Sequence, residues 1–473
     1  MVSVVLAIPD QAKIASMIQI DQNIFRAYDI RGVVKTALTP EVVTLIGRAL
    51  GSLYPQSQAV VVGRDGRISS QLLVDHLSQG LQASGCDVVD IGEVPTPVLY
   101  YATHILGTGA GVMVTGSHNP PEYNGLKMVM DGKTLHGNDI EAIHQCIIGG
   151  ALKNATGSIR HEDLLNNYIE RICNDVKLSR PLRIGIDCGN GVAGPSALNL
   201  FTKLGCEVTP LYCEVDGTFP NHHPNPSELK NLEALIQSVQ QNHLDLGLAF
   251  DGDGDRVGVI DNLGEVLWAD RQMMLYSLDV LSRNPGAKII FDVKSSRNLH
   301  SVIDEAGGEP IMWKTGHSFI KNKMAETGAL LAGEMSGHIF FKERWYGFDD
   351  ALYSAARLLE IITAQNLPSS ELFATLPNAI STPEINVHFK EEGAQHEFME
   401  LFARQVQLPG AKITTIDGIR ADYAQGWGLV RASNTTPSLV LRFEAENATV
   451  IEEIKASFRE QMLKVDASLE LPY

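Results

Sequence analysis

Cysteine is scarce in this 473-residue sequence, and the six present (Cys86, Cys146, Cys173, Cys188, Cys206 and Cys213) form no CxxC pair. This excludes a disulfide framework and a thiolate zinc site, so the thiols are expected to be reduced and mostly small core residues. Basic charge is also in short supply: 38 Lys and Arg stand against 56 Asp and Glu, a formal net charge of -18. A surface of that sign repels nucleic-acid backbones and anionic lipids, and neither is expected as a partner. A small anion can still be held where Arg and Lys cluster, because salt screens the global field beyond about 8–10 Å. Long apolar runs are missing too, which excludes membrane-spanning helices. The opening MVSVVLAIPDQAK has no basic residue before its apolar stretch, unlike a signal peptide, and a cytoplasmic location is the expectation.

What is present is enough apolar material (44% hydrophobic, 20% charged residues) for several cores. A chain of this length predicts three or four domains. Three β-rich runs repeat one pattern: AVVVGRDGRISS from Ala59, LRIGIDCGNGVAG from Leu182 and AKIIFDVKSSRNL from Ala287. Each is followed by a helix-like segment, a second strand (SGCDVVDIG, LGCEVTPLY, AGGEPIMW) and a third (GAGVMVTGSHNP, LDLGLAFDGDGDR, GALLAGEMSGH). Strands alternating with helices predict α/β units whose ligands gather at the carboxyl ends of the strands. The expected fold is three similar α/β modules with mixed, largely parallel sheets, followed by a smaller α+β C-terminal domain, all around a central cleft. The domains are placed at 1–163, 164–266, 267–380 and 381–473.

Four loops carry unusual chemistry. TGSHNPPEYNGLK sets Ser117 directly after a strand, between Gly116 and His118, where its hydroxyl is expected to be exposed and approachable. A serine in a loop is more often a turn cap, and the hydrolase elbow G-x-S-x-G is ruled out by Asn119. DGDGDR offers Asp251, Asp253 and Asp255 at alternating positions, suited to a hard divalent cation. Three close carboxylates repel one another unless a cation is present, which argues against a plain acidic turn. An EF-hand is excluded because Arg256 and Asn262 stand where that loop needs Gly and Glu. GEMSGH offers Glu334 and Ser336 for vicinal sugar hydroxyls, although alone it reads equally as a capped turn. RASNTTPS combines Arg431 with Ser433, Asn434, Thr435 and Thr436, the composition of a phosphate cradle or of a surface turn. Further candidates for anion contact are Tyr28 and Arg31 in FRAYDIRG, Arg64 in GRDGR, Lys294 and His317.

Together the four loops resemble those of the α-D-phosphohexomutase family over essentially the whole chain, most closely its bacterial phosphomannomutase/phosphoglucomutase branch. TGSHNPPEYNGLK is similar to that family's phosphoserine loop, DGDGDR to its metal loop, GEMSGH to its sugar-binding loop and RASNTTPS to its phosphate-binding loop. The resemblance implies a heart-shaped molecule and a Ser117 that is phosphorylated at rest. It implies one Mg²⁺ held by Asp251, Asp253, Asp255 and an oxygen of phosphoserine 117, with glucose 1,6-bisphosphate as the activator that primes the serine.

The implied reaction interconverts hexose 1-phosphate and hexose 6-phosphate of mannose or glucose through a bisphosphorylated sugar. Arg256 would neutralise phosphoryl charge, and Lys127 or His118 would serve as base with Arg31 and His338 assisting. Tyr28, Lys294, His317, Glu334, Ser336, His338 and the RASNTTPS residues would contact substrate. Hexose phosphates are the expected partners and a monomer the favoured state. Three alternatives stay open: phosphoglucosamine mutase, a non-catalytic sugar-phosphate sensor, and a phosphatase that uses one of the aspartates as nucleophile.

Overall fold

The computed structural model describes residues 20–391, 393–434 and 436–473, so Thr435 of the phosphate-cradle motif lies outside the described residues. The chain forms two compact bodies. One holds the described residues up to Val266 together with Phe348–Ala364, and the other holds Leu267–Gly347 and Gln365–Tyr473. Among the described residues no helix is long and apolar enough to cross a membrane.

The first body contains two sheets. In the first, β1 (Ile30–Val33), β2 (Ala59–Arg64), β3 (Asp87–Glu93), β4 (Gly111–Val114), β5 (Tyr123–Met130), β6 (Lys133–Thr134) and β7 (Ile159–His161) are ordered β1-β5-β4-β2-β3-β7, with β6 on β5. Strands β4, β2, β3 and β7 run parallel, while β5 is antiparallel to both β4 and β1. The core strands read as unbroken apolar runs, Val60–Val62 and Val112–Val114, because helices cover the sheet. One of these, Pro40–Leu53, begins with Pro at its first position behind Thr39, whose Oγ1 accepts from the Val42 N–H.

The second sheet, from β8 (Arg183–Asp187), β9 (Glu207–Leu211), β10 (Leu246–Phe250), β11 (Val257–Asp261) and β12 (Val266–Leu267), is ordered β12-β11-β10-β8-β9. The returning helix Ala351–Ala364 is tied to this body by Tyr168 Oη donating to Asp350 at 2.8 Å and Tyr353 Oη donating to Asp175 at 2.7 Å.

In the second body, β13 (Lys288–Asp292), β14 (Glu309–Trp313), β15 (Leu331–Gly333) and β16 (Ile339–Phe341) are ordered β14-β13-β15-β16. The repeat in the sequence is therefore a repeat in topology. Each module pairs its first strand between its second and third, all parallel, and then adds a fourth strand antiparallel to the third. The TGSHNP, DGDGDR and GEMSGH segments all occupy the same place, the hairpin from third to fourth strand.

The last sheet, from β17 (Ile380–Ser381), β18 (Ile385–His388), β19 (Lys412–Thr414), β20 (Ile419–Tyr423), β21 (Gly426–Ala432) and β22 (Ser438–Ala445), is wholly antiparallel. Its core gathers Phe398, Phe402, Phe443 and Phe458 from the sheet and the helices Ala394–Gln405 and Ala448–Val465. Within the second body this sheet is joined to the β13 module by buried charge. Arg420 lies 3.8 Å over the Trp427 ring and donates to the carbonyls of Val293 and Ser295, and Arg442 pairs with Asp270 at 3.1 Å. Such a pair is costly to break because the remaining charge is left buried alone.

Candidate active site

The hairpin after β4 turns at Ser117, whose φ of 48° lies in the left-handed region that a residue with a Cβ rarely adopts. The turn is held from several sides. The Ser117 N–H donates to Thr115 Oγ1 at 2.8 Å, and its Oγ donates to Asp251 Oδ2 at 3.0 Å. His118 Nδ1 stands 3.2 Å from the same Oγ. Against the expectation of an exposed hydroxyl, Ser117 is 1% exposed, because this left-handed turn aims Oγ inward at the acidic loop instead of outward.

That loop joins β10 to β11. Asp251, Asp253 and Asp255 are fully buried and their ligand oxygens lie within 4.8 Å of one another, a group able to hold a metal ion. Asp251 Oδ1 accepts the N–H groups of Asp255 and Arg256 at 3.1 and 3.2 Å, which folds the loop back on itself. Gly252 allows the two hairpins to touch, since a Cβ there would collide with the Ser117 carbonyl oxygen. Burial, then the neighbouring Asp255 and Asp253, push the Asp251 carboxyl well above its ordinary range.

Lys127, on β5 and 3% exposed, pairs with Asp253 Oδ2 at 2.7 Å and also with Asp255 Oδ2. Burial alone would lower its pKa, but Asp253, Asp255, Asp349 and Asp251 outweigh burial and hold the ammonium charged. Asp253 Oδ1 is buried with no hydrogen-bond partner. Lys127 beside Asp253 and Asp255, and Arg256 at 3.9 Å from Asp251, set two cations against three carboxylates, leaving excess negative charge and an unused oxygen. That donor set fits a hard divalent cation.

Other residues of this body were not singled out by sequence. Arg67 and Asp65, in the loop after β2, hold the serine hairpin. Thr96 donates to Asp253 Oδ2 at 2.6 Å. Asp29 accepts from Arg31 at 2.6 Å, with its Oδ1 buried and lacking a hydrogen-bond partner, and so orients a residue that was singled out. Arg31 also donates to Asn119 Oδ1 at 2.9 Å. His222 Nε2 lies 3.0 Å from both oxygens of buried Asp187, at the end of β8. Arg256 sits 3.9 Å from Asp251, beside the acidic loop as expected. Tyr28 is half-buried next to Asp29, and Arg64 faces Glu93 at 4.0 Å, outside these contacts.

The second body brings the remaining candidates together in two groups. After β15, Glu334 pairs with His338 Nδ1 at 3.0 Å and accepts the Gly316 N–H beside His317, whose ring centroid is 5.8 Å from that of His338. Burial disfavours the Glu334 charge, but His338 and the Gly316 N–H hold it below its usual range. Ser336 Oγ is 2.9 Å from His338 Nδ1. Lys294 is drawn to Glu384 at 2.5 Å and Asp292 at 4.0 Å.

In the phosphate-cradle motif, Arg431 donates to Asp417 Oδ2 at 3.0 Å, and the same oxygen accepts the Thr315 N–H at 3.0 Å. Ser433 Oγ accepts the Thr436 N–H at 3.2 Å, and Asn434 sits half-buried in the same turn. Glu384 and Asp417 are further residues the sequence did not mark, since a single acidic residue in a loop carries no local signal.

Four family profiles match this chain in order. Phosphoglucomutase/phosphomannomutase alpha/beta/alpha domains I, II and III match residues 22–152, 166–264 and 268–380, and the C-terminal domain matches 384–461. The chain is 55% identical over 453 residues to a phosphomannomutase/phosphoglucomutase of Pseudomonas aeruginosa, covering 95% of this chain and 98% of the relative. It is 50% identical over 448 residues to a phosphoglucomutase of Neisseria gonorrhoeae, covering 94% and 97%. Among solved structures, a phosphoglucomutase/phosphomannomutase family protein of Burkholderia thailandensis superposes with a TM-score of 0.91 at 48% identity, covering 96% of this chain and 100% of that one. The chain belongs to the phosphoglucomutase/phosphomannomutase family, the α-D-phosphohexomutases.

Proposed function

We propose that this chain is a magnesium-dependent phosphohexomutase that interconverts the 1- and 6-phosphates of mannose or glucose, with Ser117 as phosphoryl carrier. The observation that carries this reading is the contact between Ser117 Oγ and Asp251 Oδ2 in a loop of three buried aspartates. A structural serine does not need a strained turn aimed at an acidic cluster. The names of relatives at 50–55% identity support mannose and glucose phosphates over glucosamine phosphate.

Phosphoserine 117 gives its phosphoryl group to the free hydroxyl of a sugar monophosphate. The bond from phosphorus to Oγ breaks, the bond to the sugar oxygen forms, and the hydroxyl proton passes to a base. The resulting bisphosphate turns over, and its other phosphate returns to Oγ. Asp251, Asp253 and Asp255 would hold Mg²⁺, which when bound neutralises charge on the phosphoryl oxygens. Arg256, beside Asp251, adds fixed positive charge for the same group. His118, with Nδ1 3.2 Å from Oγ, gives the departing serine oxygen its proton and takes it back when the phosphoryl group returns. Lys127 and Arg31 support the transferring group, and Lys127 takes the base role only when the charge of its aspartate partners is otherwise met.

In the second body Glu334, Ser336 and His338 bind sugar hydroxyls. Arg431, Ser433, Asn434, Thr435 and Thr436 hold the phosphate that is not reacting, with Lys294 and His317 as further contacts, and Tyr28 is a substrate contact of the first body. Glucose 1,6-bisphosphate primes Ser117. The enzyme works as a cytoplasmic monomer of four domains, divided after residues 163, 266 and 380.

The test is intact-mass measurement of the protein after incubation with glucose 1,6-bisphosphate and Mg²⁺. One added phosphate, absent in Ser117→Ala together with all turnover, supports the reading. Full turnover in Ser117→Ala refutes it.

A further inference from the structure

Arg67 is buried at 3% exposure in the loop between β2 and the helix Ser70–Ala83, and no local pattern singles it out. Its guanidinium is spent almost entirely on main-chain oxygens of the serine hairpin, about fifty residues away in sequence. One terminal nitrogen donates to the carbonyls of Ser117 at 2.8 Å and Asn119 at 2.5 Å. The other donates to those of Pro120 at 2.6 Å and Tyr123 at 3.1 Å. Nε donates to Asp65 Oδ2 at 3.2 Å, and the guanidinium lies 5.0 Å from the centre of the Phe219 ring.

Asp65 completes the arrangement. Its Oδ2 also accepts Thr115 Oγ1 at 2.8 Å and the Gly116 N–H at 3.0 Å, while its Oδ1 accepts the Arg67 N–H at 3.1 Å and Ser70 Oγ at 2.5 Å. Gly116 is required here, because a Cβ at that position would run into the Arg67 guanidinium. The Asp–Arg pair thus holds five polar groups of residues 115–120: the Thr115 hydroxyl, the Gly116 N–H and the carbonyls of Ser117, Asn119 and Pro120.

We propose that Arg67, oriented by Asp65, is the positioning residue of the phosphoryl carrier: it holds the Ser117 turn in its left-handed form so that Oγ faces the acidic loop. The inference rests on the phosphohexomutase reading for its catalytic meaning. Two physical features separate this role from general packing. A planar fork that serves four carbonyls in fixed directions cannot be replaced by a lysine, which keeps the charge and offers a single nitrogen. Arg67 and Asp65 touch the carrier hairpin and none of the residues assigned to the phosphate that is not reacting, so a misplaced Ser117 costs chemistry and leaves substrate affinity intact.

The experiment compares wild type, Arg67→Lys and Thr115→Val, the last removing the hydroxyl that links Asp65 to the Ser117 N–H with little change in shape. Amide hydrogen exchange over residues 115–123 reads the hairpin, and steady-state kinetics read its use. Expected are faster exchange in that segment alone, kcat lower by about 30-fold or more in Arg67→Lys and about 10-fold in Thr115→Val, and KM within about threefold of wild type. Thr115→Val keeps the inference open to refutation should Arg67→Lys fail to fold. An Arg67→Lys protein with wild-type exchange and kcat, or a change in KM alone, overturns the inference. A wild type that shows the protected hairpin but transfers no phosphoryl group refutes the phosphohexomutase reading and the catalytic use of the clamp with it. Normal wild-type turnover with an unimpaired variant refutes the clamp alone.

Discussion

Ser117 Oγ lies 3.0 Å from Asp251 Oδ2, joining hairpins 134 positions apart in the chain. The donor is the proposed phosphoryl carrier and the acceptor is the first of the proposed cation ligands, so chemistry and charge neutralisation meet at one contact. Asp251→Asn keeps the shape and removes the charge. It is expected to lower kcat by about 100- to 1000-fold, the loss typical when a preorganised charge-stabilising group is removed. Steady-state assays over a range of Mg²⁺ concentrations check this, and a variant within threefold of wild type at saturating Mg²⁺ contradicts it.

Lys127 is the counter-charge of Asp253 and Asp255. Its replacement in Lys127→Met leaves buried carboxylates unpaired, at a cost of about 3–5 kcal/mol for breaking a buried ion pair. A divalent cation bound by the same carboxylates offsets that loss. The thermal midpoint of Lys127→Met should therefore fall well below wild type in EDTA and rise more than wild type on adding Mg²⁺. Equal Mg²⁺ shifts in the two proteins would show that the cation does not use these carboxylates.

Gly252 sits where any side chain would strike the Ser117 carbonyl. Gly252→Ala must push the two hairpins apart, with an expected stability loss of about 1–3 kcal/mol from overpacking. The accompanying loss of kcat should exceed about 100-fold, because a shift of about 1 Å at a reacting group is enough for that. Urea unfolding and kinetics on the same preparation check both, and an alanine variant of normal kcat contradicts the close approach.

His222 supplies a pH dependence separate from the acidic loop. Burial lowers its pKa, but the hydrogen bond and charge of Asp187 outweigh burial, so its folded pKa lies above the ordinary 6.5. The contribution of a group shifted this way is fully present below about pH 6.5 and is lost as pH rises through the folded value. The stability difference between wild type and His222→Asn should be larger at about pH 5.5 than at about pH 8.5. Urea midpoints at the two pH values measure it, and a difference that grows with pH refutes the assignment.

The fold was legible because its modules repeat: each first, second and third strand stands out as an apolar run bounded by turns, and the three chemical motifs share one hairpin position. The antiparallel fourth strand was less visible, since β11 and β16 follow their partners within a few residues, with no helix between to mark them as separate strands. Within the site, the three aspartates announce themselves by their alternate spacing, while Ser117 stands out only through the resemblance of its whole TGSHNPPEYNGLK loop. Arg67, Asp65 and Thr96 do not, because their partners lie 50 to 157 positions away and only the completed sheets bring them together. The burial of Ser117 escapes the sequence for a related reason. A strand-to-loop serine is normally solvent-facing, and here the turn's left-handed conformation, fixed by distant groups, reverses it.

Phosphorus NMR of the purified protein with Mg²⁺, a trace of glucose 1,6-bisphosphate, and mannose 1-phosphate or glucose 1-phosphate in separate tubes reads the mutase reaction most directly. Each 1-phosphate signal is expected to give way to the corresponding 6-phosphate without free phosphate, and Ser117→Ala to leave both unchanged. Inorganic phosphate as the product, or wild-type conversion by Ser117→Ala, would contradict the proposed function.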